Sequence, residues 1–241
     1  MPAGLTPPQI DKLKALPFGW DVSQIRYGET GQVIVVIDNF SPNAKRLVEH
    51  SKTLIYKRMN PHYPGMQAPA PPQYLQPLFP AIGFILAHAF EQPGTMKFEA
   101  CNFSYVTTPP DELSTFQRYP HYDGGSDRKI ALLHYLCSPD QGGTNFYRHE
   151  RTGWETVTRE RDADFETARR ADVQDHSLRR TGYFRESGDG YTLLKSVPAA
   201  FNRAIIYSST TIHSGDLGEA PAFTTSPETG RLTVNSFLLP A

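Results

Sequence analysis

From Met96 to the carboxyl terminus the chain breaks into seven short runs rich in β-branched and aromatic residues. They are Lys97 to Val106, Phe116 to Tyr122, Lys129 to Cys137, Asn145 to Arg148, Tyr191 to Val197, Ala204 to Tyr207 and Leu232 to Leu238. Short runs of this kind have the texture of a β-sandwich or barrel. Between the fourth and fifth, Glu150 to Arg185 is dense in Arg, Glu and Asp, with Trp154, Phe165, Val173 and Leu178 as sparse apolar anchors, so a helical insertion around 150–185 with a solvated face is expected.

The first 95 residues read differently. Gln32 to Asp38 (QVIVVID) reads as a half or fully buried strand by its Val and Ile content and its Asp-Asn end. Ser41-Pro42 then offers an N-cap with proline at the first helical position, ahead of Leu47, Val48, Leu54 and Ile55 at helical spacing. The proline-dense stretch from His62 is expected to run extended across a surface until Leu78 to Phe90 forms a buried helix. That apolar stretch falls well short of the roughly 20 residues of a membrane span. No repeat or linker separates two units, so one domain over 1–241 is expected, with 1–95 as supporting strand and helices and 96–241 as the β core.

Charge narrows the function classes. The 24 Lys and Arg balance 25 Asp and Glu, for a formal net charge of -1, so no global field gathers nucleic acid or anionic lipid. The amino terminus lacks a signal-peptide pattern, and Cys101 and Cys137 form neither a disulfide framework nor a zinc motif; together these fit a cytoplasmic protein. The glycine-rich dinucleotide and P-loop signatures, HExxH and GxSxG are absent from the sequence.

The residues left to carry chemistry are His121-Tyr122-Asp123, then His213, then Arg231-Leu232-Thr233. On extended backbone, residues two apart share a face, so His121 and Asp123 can offer an imidazole nitrogen and a carboxylate oxygen to one point. With His213 they make the two-histidine, one-carboxylate set that leaves positions open on a non-haem Fe(II). An HxD pair alone is weak, since eight histidines and thirteen aspartates in 241 residues produce about 0.4 such pairs by chance. Its context is stronger: a following strand (KIALLHYLC), the turn Gly142-Gly143-Thr144-Asn145-Phe146, the strand at Ala204 to Tyr207, the distal histidine and an arginine beyond it.

On these motifs the sequence resembles the Fe(II)/2-oxoglutarate-dependent dioxygenases, particularly the prolyl-hydroxylase-like branch. The resemblance runs from about Gln32 to the end and is densest from Tyr119 to Leu238. The Tyr63 to Pro71 stretch (YPGMQAPAP) is similar to that of an uncharacterised bacterial subgroup. The resemblance implies a mainly β fold with flanking helices, α+β in class: a double-stranded β-helix, the cupin-like jelly roll. It places the metal ligands at His121, Asp123 and His213, and the 2-oxoglutarate-binding arginine at Arg231 with Thr233 beside it. The position of His134 often carries a tyrosine that contacts 2-oxoglutarate; His134 and Tyr135 point to opposite faces of their strand, and one of them is expected to line the pocket. Arg is suited to the far carboxylate because its planar fork meets it bidentately and stays charged when buried.

The implied cofactors are Fe(II), 2-oxoglutarate as co-substrate and O2, and the implied reaction is hydroxylation of an unactivated C–H of an amino acid, peptide or protein side chain, or natural product, with release of succinate and CO2. The 18-residue interval from His213 to Arg231 is longer than the family's usual one, so Gly218 to Gly230 is expected to bulge as a loop, and Arg203 is the rival cation. Other readings are a cupin-like metal protein that does not use 2-oxoglutarate, and a non-catalytic binding module. Asp127 reads as a turn residue, and His50, His62, His88, His149 and His176 as surface or packing histidines. Tyr105, Phe116 and Trp154 are candidates for a substrate pocket or for the core.

Overall fold

The unbroken apolar run at 32–38 is explained by the layer it occupies. Strand β2 (Gln32–Asp38) turns Val33, Val35 and Ile37 toward a helical layer and Ile34 and Val36 toward a second sheet, so both faces are dry and no polar alternation survives. The computed structural model describes residues 2–124, 126–175, 180–218 and 221–240. Within these, β2 belongs to a seven-stranded antiparallel sheet. Its strands are β1 (Asp21–Tyr27), β2, β3 (Gly65–Pro69), β4 (Met96–Val106), β5 (Ile130–Tyr135), β8 (Arg203–Ser208) and β10 (Leu232–Pro240), in the spatial order β1-β2-β8-β5-β10-β4-β3. A three-stranded sheet, β7-β6-β9, packs on one face; its members are β6 (Gly143–His149), β7 (Tyr191–Pro198) and β9 (His213–Asp216).

Helices cover the other face of the large sheet. α1 (Pro7–Lys14) and α3 (Phe79–Ala89) bury Leu13, Ile82, Ile85 and Leu86 against Val33, Val35, Ile130, Leu132 and Ile206. Between the sheets, Ala131, Leu133 and Tyr135 of β5 meet Phe146, Val197 and Tyr207. α2 (Ala44–Ser51) packs Ala44 and Leu47 against Phe103, Tyr105, Leu232 and Val234. α4 (Asp162–Gln174) contributes Phe165 to a fourth cluster with Tyr119, Tyr147, Phe184 and Tyr191. This is the jelly roll with flanking helices. Among the described residues no helix is long and apolar enough to cross a membrane.

Three local expectations change. The helix after β2, α2, begins at Ala44 rather than beside Pro42: Ser41 caps a turn instead, its Oγ accepting the Asn43 N–H at 3.3 Å, and Ile55 lies past the helix end and is 81% exposed. Phe116 to Tyr122 is a short 3-10 turn (Thr115–Arg118) followed by extended chain, because Pro120 removes a ladder donor next to the HxD. The proline-dense stretch does not merely cross a surface. Its residues 65–69 form edge strand β3, with Pro69 closing it at the sheet margin. The insertion is helical over α4, while Leu178 and His176 lie outside the described residues.

Candidate metal centre and cavity

Backbone pairing brings the two histidines together. His121 and His213 form an isolated antiparallel bridge, N–H to carbonyl at 2.8 and 2.7 Å, which sets their ring centroids 4.5 Å apart. The Asp123 N–H donates to the Ser209 carbonyl at 2.9 Å, fixing the chain two residues on so that its carboxylate returns to the same point. One ligand atom from each of His121, Asp123 and His213 lies within 4.8 Å of the others. The expected trio therefore converges, His121 and Asp123 from an extended segment outside the named strands and His213 from the start of β9.

The chemistry of these donors suits a cation. His213 Nδ1–H donates to the Thr211 carbonyl at 2.9 Å, which selects the tautomer whose Nε2 lone pair faces the site, 3.7 Å from Asp123 Oδ2. Asp123 Oδ2 is itself buried and without a hydrogen-bond partner among the described residues. His121 is open at the cavity mouth, yet protein surrounds the rest of its ring. Burial, then the neighbouring His213, Arg169 and His62, hold its pKa well below the ordinary 6.5, so it stays a neutral donor. Burial raises the Asp123 pKa, opposed by His213 and Lys129 and reinforced by Glu99. A bound divalent ion reverses that penalty, because it is the largest local charge.

These groups open on a cavity of about 680 Å³. Arg231, immediately before β10, reaches the same cavity; it is 5% exposed, and its Nη2 donates to the Gly143 carbonyl at 2.6 Å. Its guanidinium lies 5.7 Å from the Tyr135 ring centroid, and among the described residues it has no carboxylate partner. The rival Arg203 is occupied elsewhere, by a two-point pairing with Asp38 at 2.7 and 2.9 Å. The turn before β6 that presents Gly143 depends on Gly142, whose φ is +94° and where a Cβ would lie 2.0 Å from the Asp216 carbonyl oxygen.

The remaining expected residues divide. Tyr135 faces the space between the sheets, where its hydroxyl meets Thr144 Oγ1 at 2.6 Å and Thr144 lines the cavity. His134 does not line the cavity: it is fully buried on the helix-covered face, edge-on to Phe40, stacked near Tyr74 and bonded to Asn202 at 3.0 Å. His134 thus stands apart from the cavity that the three candidate metal ligands share. Thr233 is also off the cavity surface, and its hydroxyl donates to Asn235 Oδ1 at 2.8 Å; Asn235 is the cavity residue of that pair. Of the pocket candidates, Phe116 lines the cavity, whereas Tyr105 and Trp154 do not.

Sequence reasoning missed Tyr63, Lys129 and the α4 residues Phe165, Glu166 and Arg169, all on the cavity wall. Lys129 is nearly buried between Glu99, at 2.7 Å, and the Asp123 carbonyl, at 3.3 Å. α4 is seated by its inner face, where buried Asp172 accepts hydrogen bonds from His149 and Arg151.

Crystal structures of HygX from Streptomyces hygroscopicus share this architecture. The form with nickel and 2-oxoglutarate bound is 12% identical over 99% of this chain and 88% of that chain, with a TM-score of 0.51. The form that also holds hygromycin B is 13% identical over 100% of this chain and 88% of that chain, with a TM-score of 0.50. A prolyl-4-hydroxylase from Pseudomonas putida aligns over 97% of this chain and 98% of that chain at 14% identity and a TM-score of 0.47. At such identities the likeness to HygX establishes the fold alone. No curated protein sequence matches the chain. The family of unknown function DUF6445, by contrast, matches from residue 19 to residue 238, nearly the whole of the folded core, and the chain belongs to that family.

Proposed function

We propose that the chain is an Fe(II)- and 2-oxoglutarate-dependent oxygenase that hydroxylates an unactivated C–H of a small molecule or peptide. The observation that carries this reading is the convergence of His121, Asp123 and His213 on a cavity that also contains a buried arginine with no carboxylate partner among the described residues. The structures that share the fold bind nickel and 2-oxoglutarate in HygX, in keeping with this donor set. A buried guanidinium without a counter-charge is costly and persists where an anionic ligand completes it.

In this reading His121, Asp123 and His213 hold the metal, and Arg231 pairs with the far carboxylate of 2-oxoglutarate. The bound iron and co-substrate supply the oxidation: 2-oxoglutarate, O2 and R–H become succinate, CO2 and R–OH. The protein positions the parts. The Thr211 carbonyl fixes the His213 tautomer, Lys129 ties the Asp123 backbone to β4 through Glu99, and the Gly143 carbonyl aims Arg231. Phe116, Tyr122, Phe165 and Arg169 wall the outer cavity, where a substrate C–H is held and water excluded.

The test is succinate release from 2-oxoglutarate with added Fe(II), ascorbate and air. Turnover in the wild-type chain that disappears in His213→Ala supports the assignment. Its absence in wild type, or its persistence in His213→Ala, refutes it.

A further inference from the structure

The inner end of the cavity holds a hydroxyl that the assignment above does not use. Tyr63 lines the cavity, and part of its ring is reachable from it, but its Oη is sealed from solvent and has no hydrogen-bond partner among the described residues. Its polar neighbours are the Arg231 guanidinium and the hydroxyls of Ser104 and Thr233. Neither hydroxyl stands in hydrogen-bond geometry with the phenol, and each has a partner of its own: Ser104 Oγ accepts from Gln67 Nε2 at 3.0 Å, and Thr233 Oγ1 donates to Asn235 Oδ1 at 2.8 Å. Burial pushes the Tyr63 pKa up to about 12, so the group stays a protonated donor. Arg231 Nε and Asp123 Oδ2 are likewise buried and unpaired in the same cavity. Two orphaned donors, the Tyr63 hydroxyl and Arg231 Nε–H, and one orphaned acceptor, Asp123 Oδ2, around one space await a ligand.

The chain places Tyr63 there by its local structure. The Thr107 and Thr108 N–H groups both donate to the Pro64 carbonyl at 3.2 Å, and the Gly65 N–H donates back to the Tyr63 carbonyl at 2.9 Å. A Cβ on Gly65 would lie 1.9 Å from the Tyr105 carbonyl oxygen, so only glycine lets this segment lie flat against β4. The YPG start of the proline-dense stretch thus becomes intelligible: it delivers a phenol to Arg231. Strand β5 turns His134 away from the cavity and offers Tyr135 on the inner side, but that hydroxyl is already engaged with Thr144 Oγ1 at 2.6 Å.

We propose that Tyr63 is the second anchor of the dicarboxylate co-substrate, its hydroxyl donating to the same distal carboxylate that Arg231 pairs with. This rests on the 2-oxoglutarate assignment above. The experiment is calorimetric titration of the full chain, loaded with Mn(II), using 2-oxoglutarate and 2-oxovalerate, which keeps the keto acid end and lacks the distal carboxylate. Tyr63→Phe keeps the ring and removes only the hydroxyl. It is expected to weaken 2-oxoglutarate by about 10- to 100-fold, the value of a hydrogen bond to a charged group, while leaving Mn(II) and 2-oxovalerate affinities unchanged. Tyr105→Phe, which removes another buried unpaired hydroxyl outside the cavity, is expected to change none of the three.

Unchanged 2-oxoglutarate affinity in Tyr63→Phe, or an equal loss for 2-oxovalerate, overturns the role of Tyr63 alone. If the wild-type chain takes up Mn(II) but neither keto acid, the 2-oxoglutarate assignment fails and this proposal fails with it.

Discussion

Replacing His134 with glutamine is expected to flatten the acid limb of the protein's stability profile. The imidazole is wholly enclosed, and with Nε2–H donating to Asn202 Oδ1 its Nδ1 has no partner among the described residues. Protonation there would place a charge and an unsatisfied donor in an apolar layer. Burial accordingly lowers the pKa from 6.5 to about 4, against the opposing effect of the Asn202 bond. The unfolded chain therefore binds a proton between these two values that the folded chain refuses, so stability is complete above pH 6.5 and drains away as the pH falls toward 4. At 1.36 kcal/mol per pKa unit the whole effect is about 3 kcal/mol, of which about 2 kcal/mol is lost between pH 7.5 and pH 5.

Glutamine keeps a donor for Asn202, and Asn202 Oδ1 still accepts the Ser41 N–H at 2.9 Å, so the variant is expected to fold. Urea unfolding of both proteins from pH 7.5 to pH 4.5 reads the difference directly, because every other titrating group cancels between them. Wild type should lose about 2 kcal/mol relative to the variant by pH 5. Parallel profiles would refute the claim that His134 is a sealed neutral base on the helix side of β5.

Other outcomes follow from the same geometry. Arg231→Ala should weaken 2-oxoglutarate binding to the Mn(II)-loaded protein by about 2 kcal/mol or more while leaving the metal in place, whereas Arg203→Ala should leave both affinities unchanged; calorimetry separates the two. Gly142→Ala forces a side chain onto the Asp216 carbonyl at a φ of +94° and should cost about 3 kcal/mol, read as a lower Tm. Asp172→Ala leaves His149 Nε2 buried without its partner and should lower hydrogen-exchange protection across α4 by about 1–3 kcal/mol, with little change at β5 or β10.

What could be read in advance depended on how one-sided each element is. Strands β2 and β5, α3 and β10 are buried runs long enough to be seen in the sequence, and the HxD with its distal histidine and arginine stands out by chain order. The same burial hid the orientation of His134. Every residue of β5 is buried, so alternation fixes that His134 and Tyr135 oppose each other but not which face is the cavity. β3 was concealed by proline, and β9 by its brevity and its Ser-Gly-Asp composition. Tyr63, Lys129 and Arg169 carry no spacing signal, since three separate segments bring them to one wall only after folding.

The most direct test of the central claim is anaerobic addition of Fe(II) to the purified chain, followed by 2-oxoglutarate, with the visible charge-transfer absorption of an iron-bound keto acid as the readout. The account predicts a saturable band that needs both additions, is lost in His213→Ala, and requires far more 2-oxoglutarate in Arg231→Ala. A wild-type chain that binds Fe(II) and develops no band, or a band that survives in His213→Ala, would contradict it.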